Sequence, residues 1–295
     1  MKPTAVGRLQ IQAIVEVPQL AMPFAQLLRD CPPELLDAER DWIEPRCGDL
    51  RTGTAFLSFH SYLVQTTRHR ILIDTCIGND KERVGFAPFH RRSGDWLQQL
   101  RAAGSAPEQI DYVLCTHLHS DHVGWNTRLI DGRWVPTFPN ARYIFAKAEF
   151  EHRQRDAQSA DNSAMAFADS ILPVVAAGQA QLVSSDFSLD DEVSLQGAAG
   201  HTPGNVVVQL KSRGAAAVMS GDVMHHPIQV RHPEYSSRFC EDPVEAARFR
   251  SRFVEQHADS GTLLLPAHFA TPTAGHVRRD RRGGYRFAFI DDVHA

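Results

Sequence analysis

Thr116-His117-Leu118-His119-Ser120-Asp121-His122 is the stretch around which the rest of the sequence is organised. It follows an apolar run, Tyr112-Val113-Leu114-Cys115, and precedes Val123-Gly124-Trp125. Four metal-competent side chains fall within six positions, a density that 15 histidines scattered over 295 residues do not give. With Tyr112–Thr116 read as a strand, the segment lies where that strand breaks into a loop at the sheet edge. There an irregular backbone can turn successive side chains toward one point. His117 and His119 share a direction by their two-residue spacing. Asp121 and His122 come after the turn and can face a second centre. Imidazole and carboxylate without thiolate suit zinc or a similar divalent ion in a catalytic rather than a structural site.

Composition narrows the class. Hydrophobic content of 43% and charged content of 22% are those of an ordinary soluble globular protein, and 295 residues suffice for a large α/β core. A net charge of −4 gives no reason to expect nucleic acid or an anionic membrane as partner. The basic run Arg278-Arg279-Asp280-Arg281-Arg282 is short and interrupted, and reads as a solvated turn. Met1–Arg8 lacks the apolar core of a signal peptide, and no apolar run has the length of a membrane span. Five cysteines, odd in number and without a C-x-x-C pair, argue for a reducing cytoplasm. Cys115, beside the histidine motif, reads as a small buried hydrophobe rather than a nucleophile.

Apolar periodicity predicts strands over 9–17, 54–66, 70–74, 112–116, 142–146, 181–184, 191–198, 206–210, 215–219 and 262–266, with an edge strand at 285–290. Helices are predicted at 33–44, opened by Pro32-Pro33, and from Ser93 to Gly104. Two more are expected over 147–158 and 163–177, separated by a polar break at Ser159–Asn162. Asp242-Pro243 opens another that runs to about His257, cap and proline each where it belongs. Asp74, a carboxylate ending an apolar strand, is costly to bury without a partner. It reads as an acceptor for the N–H of a ligand histidine, or more simply as a cap on the following turn.

One arrangement recurs. At 117, 201, 222 and 268 a metal-competent residue follows the carboxyl end of an apolar strand. The expected organisation is a single domain over 1–295, with helical insertions near 18–48 and 147–177. No stretch has the composition of a linker.

These elements resemble the metallo-β-lactamase superfamily. The H-x-H-x-D-H signature is His117, His119, Asp121 and His122. Later come His201 in Gly-His-Thr-Pro-Gly, Asp222 in Ser-Gly-Asp and His268 in Pro-Ala-His. The resemblance covers roughly 54–270. It implies an α/β fold, the αββα sandwich of two packed mixed sheets with helices on both outer faces. It also implies two divalent metal ions, with zinc the first expectation and manganese, iron or cobalt as alternatives. His117, His119 and His201 would hold the first ion, Asp121, His122 and His268 the second, and Asp222 would bridge them. A bridging hydroxide would then attack a lactone or ester carbonyl, with phosphotriester turnover as a side activity.

Within the superfamily, no cysteine occupies a ligand context, which departs from the cysteine-bearing lactamases. Acyl-homoserine lactonases commonly place a tyrosine three residues after the bridging aspartate, where this sequence has His225. The run Gly221-Asp222-Val223-Met224-His225-His226-Pro227-Ile228-Gln229 is instead similar to methyl parathion hydrolases. Asp121, Asp222 and His225 are therefore the catalytic candidates, His225 as a proton donor or substrate hydrogen-bond partner. Asn205 departs from a frequent second histidine but is not expected to be a ligand. Trp125, Phe86, Phe89 and Phe269 are candidates for an apolar pocket wall, with core packing as the plainer reading. The resemblance points to a small-molecule substrate and to a homodimer. The rival readings are a thioesterase of the glyoxalase II kind and an iron-dependent sulfur dioxygenase on the same ligands.

Overall fold

The structure, a computed structural model, describes residues 3–156 and 162–292. Its first strands are β1 (Thr4–Val6), β2 (Leu9–Pro23), β3 (Gly48–Asp49), β4 (Thr54–Gln65), β5 (Arg70–Ile73) and β6 (Tyr112–Leu114). The hairpin β7 (Thr127–Ile130) and β8 (Arg133–Pro136) follows, then β9 (Arg142–Ala146) and β10 (Ala180–Val183). The later strands are β11 (Val193–Gly197), β12 (Val206–Ser212), β13 (Ala215–Gly221), β14 (Leu263–Pro266), β15 (Gly275–Arg279) and β16 (Tyr285–Phe289). The chain forms two compact units, Met1–Glu16 with Phe59–Phe187 and Val17–Ser58 with Ser188–Ala295.

The first unit is built on a mixed sheet with the order β1-β2-β4-β5-β6-β9-β10. β5, β6, β9 and β10 run parallel, so their carboxyl ends share one edge. The apolar runs of β5, β6 and β9 are buried on both faces, as parallel strands covered by helices require, while Gln181 and Leu182 of the edge strand β10 are exposed. Leu72, Val113, Tyr143 and Phe145 of these strands pack with Trp96, Trp125 and Phe138 into one core cluster. Trp96 stacks on Trp125 at 5.5 Å and donates its indole N–H to the carbonyl of Ile14. Trp125, a candidate pocket wall, is thus part of this core.

The helix Trp96–Ala102 begins later than expected, because Gly94 is tied to the Asn79 side chain by its N–H and its carbonyl. The helix Lys147–Asp156 follows β9 directly. Asn162–Ala166 then widens into a π-turn over Phe167–Ile171 and closes as Leu172–Ala176. The polar break expected at Ser159–Asn162 lies, apart from Asn162, outside the described residues. Periodicity missed the β7–β8 hairpin. Its turn residues Asp131 and Gly132 have φ of 48° and 74°, the left-handed pair that an Asp-Gly dipeptide serves in a two-residue hairpin.

The second unit carries a mixed sheet with the order β11-β12-β13-β14-β15-β16, in which β13 and β14 are the parallel pair. The helix Pro243–His257 is capped as expected, the Asp242 carboxylate accepting from Val244 N at 3.1 Å and Glu245 N at 2.9 Å. Residues 18–23, expected as the start of a helical insertion, continue β2 instead. Pro18 is tolerated there because it lies beyond the stretch of β2 that β1 covers, where no ladder N–H is missed on that side. The expected helix over 33–44 is two short turns, Pro33–Ala38 and Arg40–Ile43, broken at Glu39. The Glu39 carboxylate there accepts from Trp42 Nε1, Arg231 and Arg282. Arg278 and Arg279 of the basic run belong to β15, and only the remainder forms the turn into β16. Among the described residues no helix is long and apolar enough to cross a membrane.

Candidate metal centre

In the first unit the site grows from two adjacent parallel strand ends. Ile73 of β5 pairs with Leu114 of β6, so Asp74 and Thr116 emerge side by side. Asp74 adopts a left-handed backbone, φ 55°, that turns its side chain toward the neighbouring loop. Its carboxylate accepts from Thr116 N at 2.7 Å and Thr116 Oγ1 at 2.8 Å, and faces His122 Nδ1 at 2.9 Å. A carboxylate can only accept, so Nδ1 of His122 carries the proton and Nε2 presents its lone pair. Nε2 lies 3.7 Å from Asp121 Oδ2. His117 Nε2 and His119 Nδ1 face each other at 3.0 Å. The expected role of Asp74 as acceptor for a motif histidine is what the geometry shows.

Glu149, Gly124 and Glu16, which no sequence motif marks, hold this loop. Glu149, at the start of the helix after β9, accepts from the backbone N–H of Leu118 at 3.1 Å and from Arg153 at 3.1 Å. Gly124 N donates to Cys76 O and Trp125 N to Thr75 O, while Thr75 N donates to His122 O. This ladder brings the backbones so close that a Cβ on Gly124 would stand 1.8 Å from Ile77 O. Glu16 accepts from the N–H of Ile77 and Gly78 and from Trp125 Nε1, anchoring the same turn. Cys115 is buried, and burial drives its thiol pKa well up, consistent with an inert strand cysteine.

In the second unit topology converges the remaining candidates. β13 and β14 run parallel, so Asp222 after Gly221 and His268 after Pro266 leave at the same edge. β12 is antiparallel to β13, which brings its first residues, and the loop bearing His201, to that edge. The Asp222 carboxylate then has three imidazoles around it: His201 Nε2 at 3.1 Å, His225 Nε2 at 3.1 Å and His268 Nε2 at 3.0 Å. Nδ1 of His268 faces the carbonyl of Ser58 at 3.2 Å and Nδ1 of His201 faces Cys240 Sγ at 3.7 Å. With Nδ1 protonated toward Ser58, neutral His268 presents a lone pair to an acceptor-only carboxylate. That arrangement requires a proton or a cation between them, which is the donor set of a divalent metal site.

Burial opposes charge on His201, but Asp222 beside it raises its pKa to about 9. Burial dominates at His225 and takes it down to about 4. His225 Nδ1 is buried with no hydrogen-bond partner among the described residues. Adjacent His226 is different: its Nε2 meets the Cys47 carbonyl at 2.8 Å and its Nδ1 accepts from Ile228 N, a satisfied core histidine. Asn205 spends its amide on the carbonyl of Ala198, pinning its own loop, in keeping with a residue that is no ligand. Phe269 is core, edge-on to Phe287. Phe89 packs against Phe59 and a half-buried Phe86.

Comparison with known proteins identifies the family and the fold. An N-acyl homoserine lactonase from Bacillus sp is 27% identical over 169 residues, 54% of this chain and 60% of that relative. The chain thus matches less than two thirds of that relative's length. The solved hydrolase AbOPH, described as in the beta lactamase superfamily, superposes with a TM-score of 0.80 at 25% identity, covering 98% of this chain and 97% of the other. The dizinc quorum-quenching lactonase AidC shares the fold, with a TM-score of 0.76 at 22% identity over 98% of this chain and 96% of its own. The two mixed sheets and their helices are those of this fold. The profile of the Metallo-beta-lactamase superfamily matches residues 57–278, a span that takes in every candidate ligand, and the chain belongs to that superfamily.

Proposed function

We propose that the protein is a metal-dependent hydrolase that opens lactones or cleaves esters, with phosphotriesters as side substrates. One observation carries the reading: the imidazole nitrogens of His201, His225 and His268 all face the Asp222 carboxylate, at 3.0–3.1 Å. The Bacillus lactonase relative supports the lactone class. The order of the family motifs assigns His117, His119 and His201 to one ion and Asp121, His122 and His268 to a second, with Asp222 shared. Divalent ions, with zinc the first candidate, would polarise a carbonyl or phosphoryl oxygen and bring the ionisation of water toward neutral pH.

The protein's own groups prepare that chemistry. Asp74 keeps His122 in the tautomer whose Nε2 can ligate, and Ser58 does the same for His268. Glu149 fixes the loop between the motif histidines through Leu118 N. His225 turns Nε2 to Asp222, and with the proton on that nitrogen buried Nδ1 is a lone pair that accepts from a substrate hydroxyl or amide N–H.

The test is kcat/KM of zinc- and manganese-loaded protein on an acyl lactone and on an aryl phosphotriester. Lactone turnover far above phosphotriester turnover is the expected result. A reversed preference would move the native substrate to the phosphotriester class. Slow turnover of both would remove the carbonyl-hydrolase assignment.

A further inference from the structure

We propose that Cys240 is a positioning residue for His201, its sulfur accepting the Nδ1 proton so that Nε2 is presented to an ion beside Asp222. The proposal rests on the metal-dependent reading and adds a residue that no family motif includes. Cys240 Sγ stands 3.7 Å from His201 Nδ1, the ring nitrogen turned away from Asp222. The thiol is buried, so no solvent competes for that nitrogen.

The sulfur's place is built by the backbone around it. Glu241 N donates to the carbonyl of His201 at 3.0 Å and Asp242 N to that of Gly200 at 2.9 Å, strapping the Cys240 segment to the histidine loop. Gly200 permits this approach. A Cβ there would lie 2.4 Å from Ala246 N, inside the first turn of the helix Pro243–His257. Cys240 N donates to Ser237 O at 3.2 Å, and Ser237 Oγ lies 3.5 Å from Cys240 Sγ and 3.4 Å from His225 Nε2. One turn therefore touches two of the three imidazoles around Asp222.

Arg250, fully buried on the same helix, ties that turn to the aspartate loop. It donates to Ser236 Oγ at 2.8 Å, to Pro233 O at 2.9 Å and to Val223 O at 3.0 Å, Val223 being the residue after Asp222. Three of the four histidines of the site whose Nε2 is aimed at a carboxylate thus have Nδ1 met by an acceptor or sulfur, His225 being the one whose Nδ1 has no hydrogen-bond partner among the described residues. His122 has the Asp74 carboxylate, His268 the Ser58 carbonyl and His201 the Cys240 sulfur. Such partners set the tautomer and ring angle of metal-binding imidazoles.

Zinc affinity, measured by competition with a chromophoric chelator, tests this on the wild type, Cys240→Ala and Cys240→Asp. Removing the acceptor should weaken zinc binding roughly 10- to 100-fold in Cys240→Ala. Aspartate, whose carboxylate oxygen reaches farther from Cβ than sulfur does, should restore affinity to within a few-fold. Melting temperatures of the metal-stripped proteins should agree, which separates positioning from a folding defect. Equal affinity in Cys240→Ala and the wild type overturns the proposal, as does Cys240→Asp binding no better than Cys240→Ala. Wild-type protein that takes up no zinc overturns the metal-dependent reading itself.

Discussion

Asp74 Oδ2 lies 2.9 Å from His122 Nδ1 while Oδ1 takes the backbone N–H of Thr116, so one carboxylate fixes both the tautomer of a motif histidine and the start of its loop. Asp74→Ala removes the acceptor for Thr116 N, Thr116 Oγ1 and His122 Nδ1 together. Leaving such buried donors unsatisfied costs about 1–3 kcal/mol in the urea-denaturation free energy. Zinc should bind roughly 10- to 100-fold more weakly, read by chelator competition. Unchanged zinc affinity would reduce Asp74 to a turn cap.

Asp222 is the carboxylate on which His201, His225 and His268 converge. Asp222→Ala should lower the metal content per chain, measured by elemental analysis after dialysis, and kcat/KM should fall with it. A fully active Asp222→Ala protein would sink the dinuclear assignment.

His225 separates ligation from substrate contact. Nε2 faces Asp222 and Nδ1 has no hydrogen-bond partner among the described residues, so His225→Ala should reduce kcat while metal content stays at the wild-type value. Loss of metal in parallel with activity would make His225 a ligand instead.

Gly124 is needed for closeness rather than for turning. An alanine Cβ would stand 1.8 Å from Ile77 O and 2.0 Å from Ile77 C, both backbone atoms that cannot move aside alone. Gly124→Ala should cost about 1–3 kcal/mol by urea denaturation. Gly132→Ala in the β7–β8 turn meets no atom within 4 Å and pays only for its positive φ, about 1 kcal/mol. Equal losses at the two positions would show that the backbone near Gly124 yields easily.

Lys81 and Arg83 are both fully buried against one carboxylate. Arg83 is bidentate to Asp169 at 2.7 and 3.1 Å, while Lys81 Nζ lies 2.6 Å from Thr127 Oγ1, 3.4 Å from Asp169 Oδ1 and 3.5 Å above the Trp134 ring. Asp169→Ala strands two buried cations and should cost about 3–5 kcal/mol, whereas Lys81→Met leaves the Arg83–Asp169 pair whole and should be near neutral. Burial takes the Lys81 pKa down to about 7, with Asp169 only partly opposing it. Between that value and the ordinary lysine range the unfolded chain binds the extra proton, so stability rises with pH there, by at most about 1.4 kcal/mol per unit. The stability of the wild type relative to Lys81→Met should therefore increase from pH 7 toward pH 10. A flat difference would mean that the ammonium stays charged inside the fold.

The amino-acid sequence by itself determined the strands that lead into the candidate ligands, the H-x-H-x-D-H loop, the strand-end placement of Asp222 and His268, and the Asp242 cap. These are local: a run of apolar residues, a two-residue spacing, a proline after an aspartate. Only the tertiary structure decided which atom of each imidazole faces the site. That choice is made by partners far away in the chain: Ser58 for His268, Asp74 for His122, Cys240 for His201. The same holds for Glu149 beneath Leu118, for Gly124 against Ile77 and for the core position of Trp125. No periodicity encodes such contacts, because a hydrogen bond or a close approach depends on distance in space, and the packing of separate strands sets that distance.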